Sequence, residues 1–266
     1  MSTVKDRKER VETMKAFMKK EWMEMTRTGR LLILIILFTI LGIMNPAIAK
    51  LTPWMMEMMR DSIAQSGLQL GEVTVNAMTS WTQFYKNAPM TLLVIVLMSS
   101  GVLTNEYQSG TLIQVVTKGL SRKKVMLSKM IVVYGSWTAL YLLYFGITYG
   151  YTEYYWGEDK VEKLPEGVAF YWLFGVFVLA LLLLFSTIAE NGGQVLMGTG
   201  GVIAAAFFAN YIPKIQKFLP LRLMDGLQLT MGSLEIKDFI PAMICCGVSI
   251  IACGMISIVL FDRRRL

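Results

Sequence analysis

The sequence predicts an all-α polytopic membrane protein that forms one transmembrane domain over residues 1–266. Hydrophobic residues make up 55% of the 266 residues and charged residues only 17%, whereas a soluble domain carries about 25% charged residues. Six uncharged runs also approach the roughly 17–25 residues that cross a bilayer as one helix. We expect these six membrane-spanning helices at 31–49, 87–105, 130–152, 167–189, 191–213 and 239–261.

Lysine and arginine residues predict the orientation of the six spans. Residues 1–30, the connection after the second span and the C-terminal residues together hold 17 of the 26 basic residues. Basic residues accumulate on the cytoplasmic side of membrane proteins. We therefore expect a multi-pass protein of the cell (plasma) membrane with both termini in the cytoplasm. The net charge of +7 reflects this topology, and nucleic acid is not expected as a partner. The charged N-terminal region also lacks the features of a secretory signal peptide.

Residues 5–28 precede the first span and have the period of an amphipathic helix. Apolar side chains recur every three or four residues, at Val11, Met14, Met18, Trp22 and Met25. We expect this helix to lie in the membrane interface, anchored by Phe17, Met18 and Trp22. Two roles remain open, a passive anchor or a lever that also contacts a cytoplasmic partner.

The cytoplasmic connection between the second and third spans, residues 104–129, has more local order than a simple loop needs. Ser109 and Gly110 form a predicted turn, and Thr111 is a candidate N-cap for a short amphipathic helix. Gly119 can end that helix in the left-handed conformation, and Ser121 can cap the third span. The pattern predicts a docking element. We expect the Glu106 carboxylate to accept hydrogen bonds from free amides at the start of this helix, or to pair with Arg122 or Lys123.

The external connection before the sixth span, residues 214–238, contains the sequence FLPLRLMDGLQL. It is too interrupted by proline, charge and glycine to cross the membrane, and too apolar for an ordinary solvated loop. We expect a pair of short re-entrant helices that dip into the outer leaflet. A surface hairpin is the alternative.

The residue types needed for catalysis are missing. The chain has no histidine, which removes the commonest general base and zinc ligand. The glycine-rich sequence ENGGQVLMGTGG lacks the lysine of a phosphate-binding loop, and its glycines favour close helix packing. Cys245, Cys246 and Cys253 lie inside the sixth span and receive no role. We expect no catalytic residue, no metal site and no cofactor on this chain, so its energy comes from a gradient or from a partner.

The layout resembles the membrane (permease) subunit of type-2 ABC exporters over the whole chain. Four features carry the resemblance: an amphipathic elbow helix, six spans with both ends inside, a cytoplasmic helix after the second span and a re-entrant external pair. The local signature is Glu106, then Gly110-Thr111, then Ser121-Arg122, and the chain ends in FDRRRL. The external segments are too small for the large extracellular domain of some relatives.

The resemblance implies that two such permeases pair, as a homo- or heterodimer, and that each contacts a separate ATP-binding subunit holding ATP and Mg. The coupling helix would lie around residues 108–118. The residues expected to couple to the ATPase are Glu106, Ser109, Gly110, Thr111, Leu112, Gln114, Val115, Lys118, Ser121 and Arg122.

The leading functional hypothesis is therefore the transmembrane subunit of an ATP-driven ABC exporter of peptides, bacteriocins, antibiotics or other amphipathic compounds. The chain itself is not an enzyme under this hypothesis. A secondary transporter or channel without an ATPase partner is the alternative. It requires coupling charges or broken helices near the bilayer midplane, for which only Pro46 and Pro89 are candidates. An intramembrane enzyme is disfavoured because histidine and paired carboxylates are missing.

Overall fold

A computed structural model of the chain describes residues 16–59, 74–112, 121–157, 159 and 161–264. Within these residues every regular element is an α-helix or a 3₁₀-helix. Six helices are long and apolar enough to cross a membrane. The predicted fold class, all-α with six membrane-spanning helices, is confirmed.

We number the α-helices in chain order, and the first, α1, covers residues 16–27. The next four are α2 (Arg30–Met58), α3 (Ala77–Ser99), α4 (Thr104–Gln108) and α5 (Arg122–Trp156). The last five are α6 (Leu164–Ile188), α7 (Gly192–Ala209), α8 (Pro213–Gln216), α9 (Gly226–Thr230) and α10 (Ile240–Arg263). Two 3₁₀-helices, Pro220–Met224 and Ile236–Phe239, flank α9. The six candidate spans are α2, α3 with α4, α5, α6, α7 and α10.

The two ends of the helix bundle differ in charge. One end of the bundle carries Arg30, Arg122 and Arg263, and we call it the basic end. Helices α2 and α5 begin there, and α10 ends there. At the opposite end α5 finishes in Trp156, and Asp159 follows it.

Short polar signals explain where several helices begin. The Asn76 side chain accepts a hydrogen bond from the Thr79 amide (3.1 Å), and the Thr79 hydroxyl accepts one from the Asn76 amide (3.4 Å). This capping box starts α3. Helix α7 begins where the Asn191 side chain accepts from the Gln194 amide at 3.0 Å. Gly29, at φ +71°, lets the chain turn between α1 and α2, because glycine enters the left-handed region without a steric cost.

Helix α6 is the centre of the bundle. In the most apolar 18-residue stretch of α6, 67% of the residues are buried, whereas 11% are buried in the corresponding stretch of α7. Helices α7 and α10 and the short helices before α10 pack on α6, whereas α2, α3 and α5 pack on one another. The outward side of α10 carries Ile244, Val248, Ile251 and Met255, each about 60% exposed. This apolar stripe is suited to contact lipid.

A polar chain of contacts joins α2, α3 and α5 inside the bundle. The Asn87 amide donates to Asn45 Oδ1 (2.8 Å), and the Asn45 amide donates to Thr148 Oγ1 (2.9 Å). The Thr148 hydroxyl donates to the Gly42 carbonyl at 3.0 Å. That carbonyl lacks its usual helical donor because Pro46 has no N–H. Helix α2 therefore continues through Pro46 without a break.

The connection before α10 is helical and packs against α6. Its side chains at Leu221, Leu223, Leu229 and Phe239 are buried. Helix α9 approaches α6 so closely that a Cβ added to Gly226 would lie 2.8 Å from the Gly167 carbonyl oxygen. The short helices are thus held by protein contacts, and their insertion into the outer leaflet stays a prediction.

Candidate functional site

A buried ion-pair cluster at the basic end connects α1, α4 and α5. Lys129 of α5 has a side chain only 1% exposed. Its Nζ lies 2.9 Å from Glu21 Oε2 on α1 and 2.9 Å from Glu106 Oε2 on α4. It also donates to the Val102 carbonyl at 2.9 Å. Two of these contacts are hydrogen bonds, to Glu21 and to the Val102 carbonyl, and the contact with Glu106 Oε2 is an ion pair.

Lys20 adds a second, more exposed cation to this cluster. Its Nζ lies 2.8 Å from Glu106 Oε1 and 3.3 Å from both Glu21 Oε1 and Glu24 Oε2. Burial is the largest single effect and lowers the pKa of Lys20, but the hydrogen bond to Glu106 and the negative charges of Glu106, Glu21 and Glu24 together outweigh it, so the pKa lies above its usual range. We call Lys20, Glu21, Glu106 and Lys129 the basic-end cluster. Two positive and two negative charges balance within it.

The partners of Glu106 differ from those that the sequence indicated. We expected its carboxylate to meet free amides of the docking helix, or Arg122 or Lys123. Instead Arg122 donates to the carbonyls of Asp262 (3.3 Å) and Arg264 near the chain end. Glu106 is turned toward the bundle, where its side chain is 8% exposed. The ion pairs of Glu106 therefore connect α4 to α1 and α5.

The chain turns at residues 109–110, shortly after Glu106. Helix α4 ends at Gln108, and Gly110 has φ +68°, a turn that favours glycine. The hydroxyl groups of Ser109 and Thr111 lie 3.1 Å apart. A helix resumes at residues 111–112, and Leu112 is 1% exposed. This turn therefore ties the start of the expected coupling helix to the protein core.

The other expected coupling residues are only partly described. Gln114, Val115 and Lys118 lie outside the described residues, as does Gly119. Ser121 is the N-cap residue of α5, with no hydrogen bond from its side chain to the helix. Their contact with an ATPase stays a prediction.

Arg264 fastens the ends of α6 and α10 beside this turn. Its guanidinium donates to the carbonyls of Thr187 (2.6 Å) and Ala189 (3.1 Å) and lies 4.0 Å from the centre of the Tyr107 ring. A cation at a helix C-terminus satisfies the last carbonyls and complements the helix dipole. The basic end is therefore connected across α4, α6 and α10.

The three expected anchor residues of α1 have different surroundings. Phe17 is 6% exposed and belongs to the hydrophobic core, Met18 is half-buried, and Trp22 is 43% exposed. Phe17 thus attaches α1 to the bundle, while Trp22 keeps a surface that membrane can cover. Insertion of α1 into the interface stays a prediction.

The carboxylates of Glu21, Glu24 and Glu106 come within 4.8 Å of one another, which is close enough for a shared metal ion. The ammonium groups of Lys20 and Lys129 already contact all three carboxylates. The arrangement is therefore suited to hold helices together and gives no support to a metal centre.

Sequence reasoning missed three members of the cluster, Lys20, Glu21 and Lys129. Lys20 and Glu21 fall between the apolar positions of the amphipathic helix, and Lys129 is one of the basic residues after the second span that predict the orientation. A signal was present at Lys129, which directly precedes the uncharged run 130–152. A lysine at that depth needs a partner, but the sequence does not show which carboxylate supplies it.

A separate apolar groove of about 590 Å³ lies between α3, α6 and α7. Its walls include Leu93 and Leu97 of α3, Phe174 of α6, and Ile203 and Phe207 of α7. Among the described residues that line the groove, none is Lys, Arg, Asp or Glu. The groove is suited to an apolar molecule or to the apolar part of an amphipathic one.

Comparisons with known proteins agree with this layout. The family model described as ABC-2 family transporter protein matches residues 16–266. The chain is also similar to the uncharacterized transmembrane protein YxlG of Bacillus subtilis (strain 168). The two are 21% identical over 238 residues, which cover 86% of this chain and 89% of that protein. The family match includes all six spans and the part of α1 that carries Lys20 and Glu21.

Proposed function

The chain belongs to the ABC-2 transporter family, and from that premise we propose that it is the transmembrane subunit of an ATP-driven exporter. It forms half of a translocation pathway with a second permease chain, alike or different. A separate subunit binds ATP and Mg and hydrolyses the nucleotide. The chain itself carries no catalytic residue in this proposal.

The observation that carries the proposal is the basic-end cluster. Glu106 lies three residues before Ser109, where the turn at Ser109 and Gly110 leads into the expected coupling helix. Through Lys129 and Lys20 the same carboxylate contacts α5 and α1. Separating a buried ion pair leaves an uncompensated charge, which costs about 3–5 kcal/mol. A push on the coupling segment is therefore transmitted to two further helices.

The orientation follows from the same end of the molecule. Basic residues favour the cytoplasmic side, so the basic end faces the cytoplasm, where ATP is available. Both termini then lie inside. The bacterial relative supports a location in a bacterial plasma membrane.

The apolar groove supports an amphipathic substrate. With no charged lining residue, it offers contact area and little directional recognition, which favours compounds that partition into lipid. Peptides, bacteriocins and antibiotics with an apolar face have this chemistry. Export is the direction that the resemblance to type-2 exporters favours.

The test is purification of the tagged chain from its native host, followed by identification of co-purifying proteins and measurement of ATP hydrolysis. We expect a P-loop ATPase subunit in the complex, and hydrolysis that depends on both subunits. A secondary transporter or channel predicts a chain that purifies without an ATPase. That result contradicts the proposal.

The coupling role of Glu106 is tested in the same complex. Glu106→Gln should keep the ATPase bound but reduce transport per ATP hydrolysed, because Lys129 and Lys20 lose their shared anion. Glu235→Gln is the matched control, since Glu235 is exposed and pairs with Lys237 at the opposite end. Normal transport in Glu106→Gln contradicts the coupling role.

A further inference from the structure

A second cavity lies at the end of the bundle opposite the basic-end cluster. It has a volume of about 310 Å³ and is enclosed by the start of α3, the end of α5 and the start of α6. Its lining combines three large aromatic residues with two carboxylates. These residues are Trp81, Tyr149, Trp156, Glu153 and Asp159. Among the described residues that line it, none is Lys or Arg, and Glu158 and Lys160, on either side of Asp159, lie outside the described residues.

The aromatic wall is held in place by the core behind it. Trp81 is 2% exposed and packs edge-on against Phe84, with ring centroids 5.4 Å apart. Its ring also lies 5.7 Å from Phe145 and 6.4 Å from Tyr149. Tyr149 is 46% exposed. The wall is therefore formed before any ligand arrives, with Tyr149 exposed and Trp156 partly exposed to the outside.

The carboxylates give the cavity a negative rim. Asp159 uses one oxygen to accept a hydrogen bond from the Ala77 amide at 3.1 Å, which caps α3. Among the described residues, neither Asp159 nor Glu153 has a basic side chain within ion-pair distance. Both are exposed, so water and salt screen their attraction for a cation. The rim therefore favours positive ligands at modest strength.

An ammonium group already contacts an aromatic ring at this end of the molecule. The Lys50 Nζ lies 3.8 Å from the centre of the Tyr155 ring, within the range of a cation–π interaction. Tyr155 follows the cavity residue Glu153 on the last turn of α5. The same part of the chain thus provides an internal example of the contact.

We propose that this cavity binds an organic ammonium group. The cation lies against the exposed ring of Tyr149 and beside the partly exposed Trp156, with Trp81 behind them and with Glu153 and Asp159 balancing its charge. Aromatic rings attract such cations through their negative faces, and a volume near 300 Å³ is at the small end of ligand sites. A lipid headgroup and a free amine both carry such an ammonium group, and the test below distinguishes them. The proposal does not depend on an ATPase partner.

The test uses the full chain in nanodiscs of phosphatidylglycerol and calorimetric titration with choline. The neutral isostere 3,3-dimethyl-1-butanol has the same shape without the charge. We expect saturable binding of choline and roughly tenfold weaker binding of the isostere. Glu153→Gln and Tyr149→Leu should each weaken choline binding about fivefold, the size of one exposed cation–π or ionic contact. Thermal unfolding checks that both variants remain folded.

Glu162→Gln is the matched control, because Glu162 is an exposed carboxylate of the same connection that does not line the cavity. Absence of saturable choline binding overturns the proposal. So does equal binding of the neutral isostere, or a loss in Glu162→Gln as large as in Glu153→Gln. Nanodiscs with phosphatidylethanolamine distinguish the two sources. Weaker apparent choline affinity there identifies the lipid headgroup, and unchanged affinity identifies a free amine.

Discussion

Replacing Lys129 by methionine tests the energetic role of the basic-end cluster. The substitution keeps an unbranched side chain but removes an ammonium group that contacts Glu21, Glu106 and the Val102 carbonyl, each at 2.9 Å. Removing one partner of a buried ion pair costs about 3–5 kcal/mol. Lys20 remains 2.8 Å from Glu106 and 3.3 Å from Glu21. We therefore expect the lower end of the range, about 3 kcal/mol.

Thermal unfolding of the purified chain in detergent, followed by tryptophan fluorescence, measures this loss. A change of about 3 kcal/mol corresponds to roughly 6–12 °C for a chain of this size. Lys123→Met is the control, because its side chain is 66% exposed and its ion pair with Asp262 spans 3.7 Å. Adding Glu21→Gln to Lys129→Met should restore more than half of the loss, since it removes the uncompensated charge. Equal melting temperatures for Lys129→Met and Lys123→Met would refute the reasoning.

Three further predictions concern other parts of the molecule. Gly167→Ala should lower the free energy of unfolding by about 1–3 kcal/mol, because the new Cβ would lie 2.4 Å from Tyr85 Oη. Gly135→Ala is the control, because a Cβ there meets nothing within 4 Å. Thermal unfolding compares the two variants, and equal stability contradicts the packing argument. Arg264→Ala should lower the melting temperature, because two carbonyls at the end of α6 lose their donor; an unchanged value would show that water replaces it. A cysteine in place of Asp159 should react with a membrane-impermeant maleimide in intact cells, because Asp159 lies at the end opposite the basic end. Protection of that cysteine until the cells are lysed would contradict the proposed orientation.

The fold class was accessible from sequence because each span satisfies its backbone hydrogen bonds within one segment. Length and lack of charge then suffice to detect it. Caps are equally local, and the turn at Gly110 was predicted from a few neighbouring residues. In the structure, Gly110 adopts the left-handed backbone conformation.

The partners of buried charges were not accessible in the same way. Glu21 and Lys129 are 108 residues apart, and the helical period that places Glu21 on the polar face of α1 does not reveal what covers that face. The helical period is equally uninformative at Phe17, because an apolar residue that faces lipid and one that faces protein give the same sequence pattern. Tertiary packing of α1 on the bundle decides both positions.

The most direct measurement of the central claim is site-specific photocrosslinking in the intact complex. A photoreactive residue in place of Gln114, in the expected coupling helix, should crosslink to an ATP-binding subunit. The same residue in place of Tyr154, which is 80% exposed at the opposite end, should not. Mass spectrometry identifies the partner peptide, and a crosslink to an ATPase from position 114 alone is the predicted result. Crosslinks from position 114 only to lipid, or an ATPase crosslink only from position 154, would contradict the account.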